Sequence, residues 1–250
     1  MMVFESDFRK DPVYEYATFR PRFLTDGNPD ISFLIHSFQD LATSQINRLM
    51  LGEEFERENS FQYVVLRYKG YFIERLCSQK EYTLITFPVQ AGTLQLYRYA
   101  LLLDENGKVV FYLISLWVLI DSITRKIKPA KPFRIRLAEK IPYIDDVLPL
   151  TVEKLSNFPI DNLDFSPFDH HKVSIEDIDS NGHMNNTVYI RIAQPTLERR
   201  LSSFEIDYEK ECFEGENLIL SKFHDGNTTV YVKGDRQDGT LSFKSVFLYS

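Results

Sequence analysis

Between residues 177 and 189 the chain reads Asp-Ile-Asp-Ser-Asn-Gly-His-Met-Asn-Asn-Thr-Val-Tyr. A histidine flanked by a carboxylate and an amide can hold a water, take its proton and keep one tautomer while doing so. Asp179, Asn181 and His183 alternate, which in an extended approach places all three side chains on one side. Gly182 permits a backbone conformation that other residues resist. Met184, Val188 and Ile192 recur behind it at helical spacing, which predicts a helix from about Met184. The polar string then falls at a helix N-terminus, where free amides and the helix dipole favour a developing oxyanion. Asp and Asn are also ordinary caps and turn formers, so no single member of the string argues for chemistry. The whole string, backed by an apolar helix, does.

Asp179-Ser-Asn-Gly-His183-Met-Asn-Asn186, followed by Tyr189, resembles the signature of the acyl-acyl-carrier-protein (acyl-ACP) thioesterases, and more loosely that of hotdog thioesterases generally. Downstream, Tyr208-Glu-Lys-Glu211-Cys212 is similar to the same family's strand carrying a glutamate followed by a cysteine. The resemblance implies an α+β fold of two tandem hotdog domains, each a long helix wrapped by an antiparallel sheet. It also implies hydrolysis of fatty acyl thioesters to free fatty acid and holo-acyl carrier protein, within fatty acid biosynthesis. Glu211 becomes the partner that orients or activates the water beside His183, while Asp179 and Asn181 hold the imidazole or the attacking group. Backbone donors around Gly182 and His183 would take the oxyanion. Covalent attack by Asp179 stays open.

Cys212 is a weaker candidate than its neighbour. A free cysteine on a strand is most often packing, and adjacent strand residues point to opposite faces, so Glu211 rather than Cys212 is expected to face His183. Asn185 and Asn186 read as helix-start hydrogen bonders and Tyr189 as packing. Asp169, His170 and His171, together with Asp177 and His183, lack a recognised ligand spacing, so no metal and no cofactor are expected. Two other functions remain: a hotdog enzyme acting on acyl-coenzyme A, and a non-enzymatic acyl-binding or regulatory hotdog.

The rest of the chain narrows the class. With 250 residues, 20 Phe and 14 Tyr, it can bury a large core and line an apolar pocket. A net charge of −7 gives no reason to expect nucleic acid. Cys77 and Cys212 form no disulfide framework, which favours a reducing, cytoplasmic setting. The start, Met-Met-Val-Phe-Glu-Ser-Asp-Phe-Arg-Lys, does not read as a signal peptide, and the apolar run 109–120 is too short to span a membrane and reads as a buried strand. A homodimer stays open beside a monomer.

The elements that must position the site divide into an N-terminal hotdog over 1–121, a crossover linker over 122–164 and a C-terminal hotdog over 165–250. In the first half, Ile31, Leu34, Ile35, Phe38, Leu41, Ile46 and Leu49 fall on one helical face, with Gly52 placed to stop the helix. His36 on that helix reads as a pocket or core residue. Strands are expected around 63–73, 82–87, 95–103 and 108–120, with Asn106-Gly107 a hairpin turn between the last two. In the second half, strands are expected near 170–175, 203–208, 217–223, 228–233 and 240–248, and Pro195 should end the helix near Ala193. The linker carries Arg125, Lys126, Lys128, Lys131, Arg134, Arg136 and Lys140 against Glu139 alone. Such a run is often mere solvated surface, and otherwise a docking face for an acidic partner, which the resemblance identifies as acyl carrier protein.

Overall fold

The computed structural model describes residues 8–89, 92–141 and 158–250. In chain order its first elements are β1 (Glu15–Phe19), α1 (Ile31–Arg48), α2 (Glu53–Asn59), β2 (Phe61–Phe72), β3 (Tyr82–Pro88), β4 (Gln95–Leu103), β5 (Val109–Asp121) and β6 (Ile127–Lys128). There follow α3 (Lys131–Lys140), β7 (Ser166–Lys172), α4 (Asn186–Ala193), β8 (Leu201–Tyr208), β9 (Asn217–Asp225), β10 (Thr229–Arg236) and β11 (Leu241–Tyr249). The described ladders are antiparallel, which makes the protein α+β, the class expected. No helix among the described residues is long and apolar enough to cross a membrane.

The chain forms two compact units that interleave in sequence, one built from 1–20, 37–68 and 79–155, the other from 21–36, 69–78 and 156–250. The contiguous division expected at 121 and 165 therefore differs from the observed one. Antiparallel pairing gathers segments by hydrogen-bond partner rather than by chain order, and two of the four boundaries in the first half fall inside elements, in α1 and β2. Residues 142–157 of the expected linker lie outside the described residues.

In the first unit the strands run in the order β1-β3-β4-β5-β2. β5 is apolar on both faces and buried almost throughout, as a central strand covered on both sides must be. The β4–β5 turn forms where Asn106-Gly107 predicts it: Asp104 Oδ1 accepts the amides of Asn106 and Lys108 at 2.9 Å each, and Gly107 takes φ +75°. α1 buries Ile31, Leu34, Ile35, Phe38 and Leu41, and Leu49 is buried just past its end, but His36 is exposed, which excludes the core half of the pocket-or-core role expected of it. Nor does Gly52 end α1. Met50 does, at φ +56°, with Leu51 N–H bonded to Ile46 C=O (2.9 Å) and Met50 N–H to Asn47 C=O (3.0 Å), while Gly52 opens α2.

The expected linker is also partly structured. α3 docks Phe133 and Leu137 into the core that holds Phe55, Phe61, Phe87 and Tyr99. Its proline, Pro132, sits in the first turn, where a missing N–H costs no helical hydrogen bond.

In the second unit the order is β8-β11-β10-β9-β7. α4 buries Val188, Tyr189, Ile190 and Ala193 and stops at Ala193, two residues before Pro195. The Tyr189 ring meets Tyr208 and Phe243 edge-on, with centroids 5.6 and 5.5 Å apart. Phe243 in turn needs Gly234, because a Cβ there would lie 2.2 Å from its ring. This stack fixes Tyr189, whose hydroxyl matters below.

Candidate active site

The polar string is a closed turn rather than an extended approach to a helix. An isolated bridge joins Ile178 to Met184, Asp179 N–H donates to His183 C=O (2.8 Å), and Gly182 N–H donates to Asp179 C=O (3.1 Å). Asp179 Oδ1 accepts from the amides of Asn181 (2.8 Å) and His183 (3.3 Å). Asp179 therefore holds His183 through the backbone. Gly182 has φ +81° with nothing within 4 Å of an added Cβ, so glycine is required by the dihedral alone.

α4 begins only at Asn186, with Asn185 as its cap: Asn185 Oδ1 accepts from Thr187 N–H (2.9 Å) and hydroxyl (2.8 Å). The expectation that helix-end amides around Gly182 and His183 await an oxyanion is thus corrected. Those amides are spent inside the turn, because five residues folding back on one carboxylate satisfy their own donors.

Glu211 stands on the loop after β8, three residues past the end of the strand. Its Oε2 lies 3.4 Å from His183 Nε2, with the imidazole side chain 20% and the carboxylate side chain 38% exposed. The separation exceeds a formed hydrogen bond, yet one water can touch both groups. The register comes from the neighbouring residues: Met184 N–H donates to Cys212 C=O at 2.8 Å, tying the turn to the loop one residue beyond each reactive group. Tyr189 reinforces the tie, its hydroxyl oxygen accepting from Cys212 N–H at 2.9 Å.

Cys212 itself is sealed. It is fully buried, its Sγ is 3.0 Å from Ser242 Oγ, and burial raises its thiol pKa despite that contact. A raised pKa keeps the thiol protonated, which removes the nucleophile that a His–Cys pair would need. Burial likewise raises the Tyr189 phenol, which stays neutral as a structural acceptor.

Beside the turn, Asp177 is buried and saturated. Arg191 Nη2 donates to its Oδ1 (2.7 Å), and Oδ2 receives Ser174 N–H (3.0 Å) and hydroxyl (3.1 Å) with His171 Nε2 at 3.0 Å. Its C=O accepts Asn185 N–H, so this knot anchors the start of α4. His170 is exposed and bonds its own neighbour, Asp169, through the main chain. Among the described residues no group of three or more His, Cys, Asp or Glu is placed to hold a metal ion.

Sequence reasoning missed the hydroxyl of Tyr189, the Asp177 knot and Phe213, whose ring lies against His183. Tyr189 and Asp177 had a visible signal, as the two ends of the motif.

An imidazole and a carboxylate 3.4 Å apart, in an antiparallel α+β fold, form a pair that can do acid–base chemistry on a water touching both. Residues 161–240, which contain every member of it, match the family model described as acyl-ACP thioesterase C-terminal domain, and the resemblance carried by the two motifs holds for this part of the chain. No curated protein sequence matches the chain.

Solved structures match it almost end to end. An acyl-ACP thioesterase from Bacteroides thetaiotaomicron is similar at 20% identity and TM-score 0.81, covering 95% of this chain and 98% of that one. A 12:0-ACP thioesterase from Umbellularia californica follows at 17% and 0.78, covering 95% and 97%. A putative oleoyl thioesterase from Lactobacillus plantarum gives 18% and 0.71, covering 94% of each. At these identities the likeness is one of fold.

Proposed function

We propose that the protein is an acyl-ACP thioesterase, hydrolysing fatty acyl thioesters to free fatty acid and holo-acyl carrier protein with water as the nucleophile. The observation that carries this reading is the 3.4 Å approach of His183 Nε2 to Glu211 Oε2, from segments 28 positions apart that share a backbone hydrogen bond. The family matched over residues 161–240 supplies the reaction class.

A water that touches both groups gives its proton to the Glu211–His183 pair as its oxygen bonds to the thioester carbon, and the carbonyl electron pair moves onto oxygen. The Asn181 carboxamide, exposed and without a side-chain hydrogen bond among the described residues, is a donor for that oxyanion. Collapse breaks the C–S bond, and the departing thiolate takes up the proton held by the pair. Asp179 has Oδ1 committed to two amides, which favours a positioning role over covalent attack.

In this reading each unit is a hotdog domain, the first shaping the acyl pocket and the second carrying the chemistry, and the enzyme works in the cytoplasm. Of the basic cluster, Arg125, Lys126, Lys131 and Arg134 are exposed and suited to an acidic carrier protein. Lys128 and Arg136 have other work. Lys128 Nζ caps the end of α2 through Asn59 C=O (3.0 Å) and Ser60 C=O (3.2 Å), and Arg136 pairs with Glu139 at 3.2 Å.

The test is thiol release from a chain-length series of acyl-ACP and acyl-coenzyme A substrates. His183→Ala and Glu211→Ala should each lower kcat by roughly 10²–10⁴-fold with the fold intact. Near-normal turnover by folded variants would overturn the assignment.

A further inference from the structure

The loop that delivers Glu211 runs on into Phe213, whose ring centroid lies 5.3 Å from that of His183 with the planes at 69°. Ring edges against histidines are ordinary inside a core, but Phe213 is 45% exposed. A large apolar face beside a reactive imidazole is therefore open to solvent.

Its position is built rather than slack. Phe213 N–H donates to Glu216 Oε2 at 3.0 Å, and the other oxygen of that carboxylate accepts from the Arg236 guanidinium. Glu216 N–H closes the turn on Phe213 C=O at 3.2 Å. On the far side, Gly215 N–H donates to Val173 C=O and Val173 N–H to Glu216 C=O, both at 2.9 Å. The backbone on either side of the ring is thus pinned, which gives the aromatic face a fixed place next to the His183–Glu211 pair.

We propose that Phe213 is a substrate-contacting, specificity-determining residue, whose exposed face receives the methylenes of the acyl chain next to the thioester carbonyl. The reasoning is one of chemistry and place. A fatty acyl thioester presents hydrocarbon within a bond or two of the carbon under attack, and that hydrocarbon must leave water as the carbonyl reaches the imidazole. The exposed ring beside the imidazole is an apolar surface for it, and covering the ring also removes bulk water from one side of the pair, where electrostatic stabilisation then strengthens. The proposal rests on the thioesterase reading.

The experiment uses the full chain and measures kcat and KM separately for medium- and long-chain acyl-ACP. Phe213→Ala should raise KM about tenfold while moving kcat less, since what is lost is apolar contact with bound substrate. Phe213→Leu, which restores a large apolar side chain without the ring, should recover most of that loss. Leu248→Ala, which removes a similarly exposed hydrophobe from β11, should leave both constants and the melting temperature close to wild type.

A fall in kcat at constant KM, with Leu no better than Ala, would mean that the ring only props the imidazole and would overturn the proposal. So would wild-type constants in a folded Phe213→Ala. An inactive wild-type chain would instead sink the thioesterase reading and this proposal with it.

Discussion

Tyr189→Phe isolates the tie that aligns the reactive pair. The substitution keeps the ring stacked between Tyr208 and Phe243 and removes only the oxygen that accepts Cys212 N–H at 2.9 Å. Tyr189 is 3% exposed and Cys212 fully buried, so water cannot readily replace the lost acceptor. An unsatisfied buried donor costs on the order of 1–3 kcal/mol, and with no cavity created no packing loss adds to it. For a chain of this size about 2 kcal/mol lowers the melting temperature by roughly 4–8 °C. The same amide belongs to the residue after Glu211, so its release loosens the carboxylate. A displacement near 1 Å at a catalytic group costs up to about 10²-fold in rate. We expect kcat for acyl-ACP to fall between roughly 10- and 100-fold, with KM little changed. Steady-state kinetics and thermal unfolding of the same preparation read both quantities. A variant that melts several degrees early yet keeps wild-type kcat would show that Met184 N–H to Cys212 C=O suffices to align the pair. A variant unchanged in both would refute the reasoning altogether.

Two further outcomes follow from the same structure. At Asp177 burial acts to raise the carboxyl pKa, but the Ser174 amide and hydroxyl and the neighbouring His171 outweigh it and hold it below its ordinary value of 3.8. A native pKa depressed below the unfolded one means that the ionised group stabilises the fold above about pH 4, a contribution lost as pH falls through the native value. Asp177→Asn should therefore cost roughly 2–4 kcal/mol at pH 7, and the gap to wild type in urea unfolding should close in acid; a gap constant down to pH 2 would contradict this. At the basic cluster, reversing Arg125, Lys126, Lys131 and Arg134 to Glu should weaken turnover of acyl-ACP, increasingly so at low salt, while small free thioesters are cleaved as before. Equal loss on both substrates would remove the docking role.

The parts legible in the chain were those governed by local pattern. β4 and the Asn106-Gly107 turn follow from a β-prone run of aromatic and aliphatic residues and from turn chemistry, and the end of α4 follows from Pro195. α2 and α3 escaped because seven- and ten-residue helices carry too few apolar positions to show a period, and because Pro132 reads as a breaker unless its place in the first turn is known. The Met50 stop was hidden by Gly52, the residue type that usually does that work. Within the site, residue types spoke for His183 and the family resemblance for Glu211. Neither could reveal that Asp179 spends its carboxylate on main-chain amides, since that depends on the sharp fold of 179–183 and not on spacing. The proximity of positions 183 and 211 is a tertiary fact, set by a hydrogen bond whose donor and acceptor have no side-chain signature.

That last point bears on how the site can change over time. The link between residues 184 and 212 is made of main-chain atoms, so every amino acid except proline at 184 supplies the same N–H, and every residue at 212 the same C=O. Substitution there is limited by room and by polarity, not by the loss of a coupling group. The alignment of the reactive pair can thus outlast considerable drift in the residues beside it, while a one-residue insertion in either segment would shift it at a stroke.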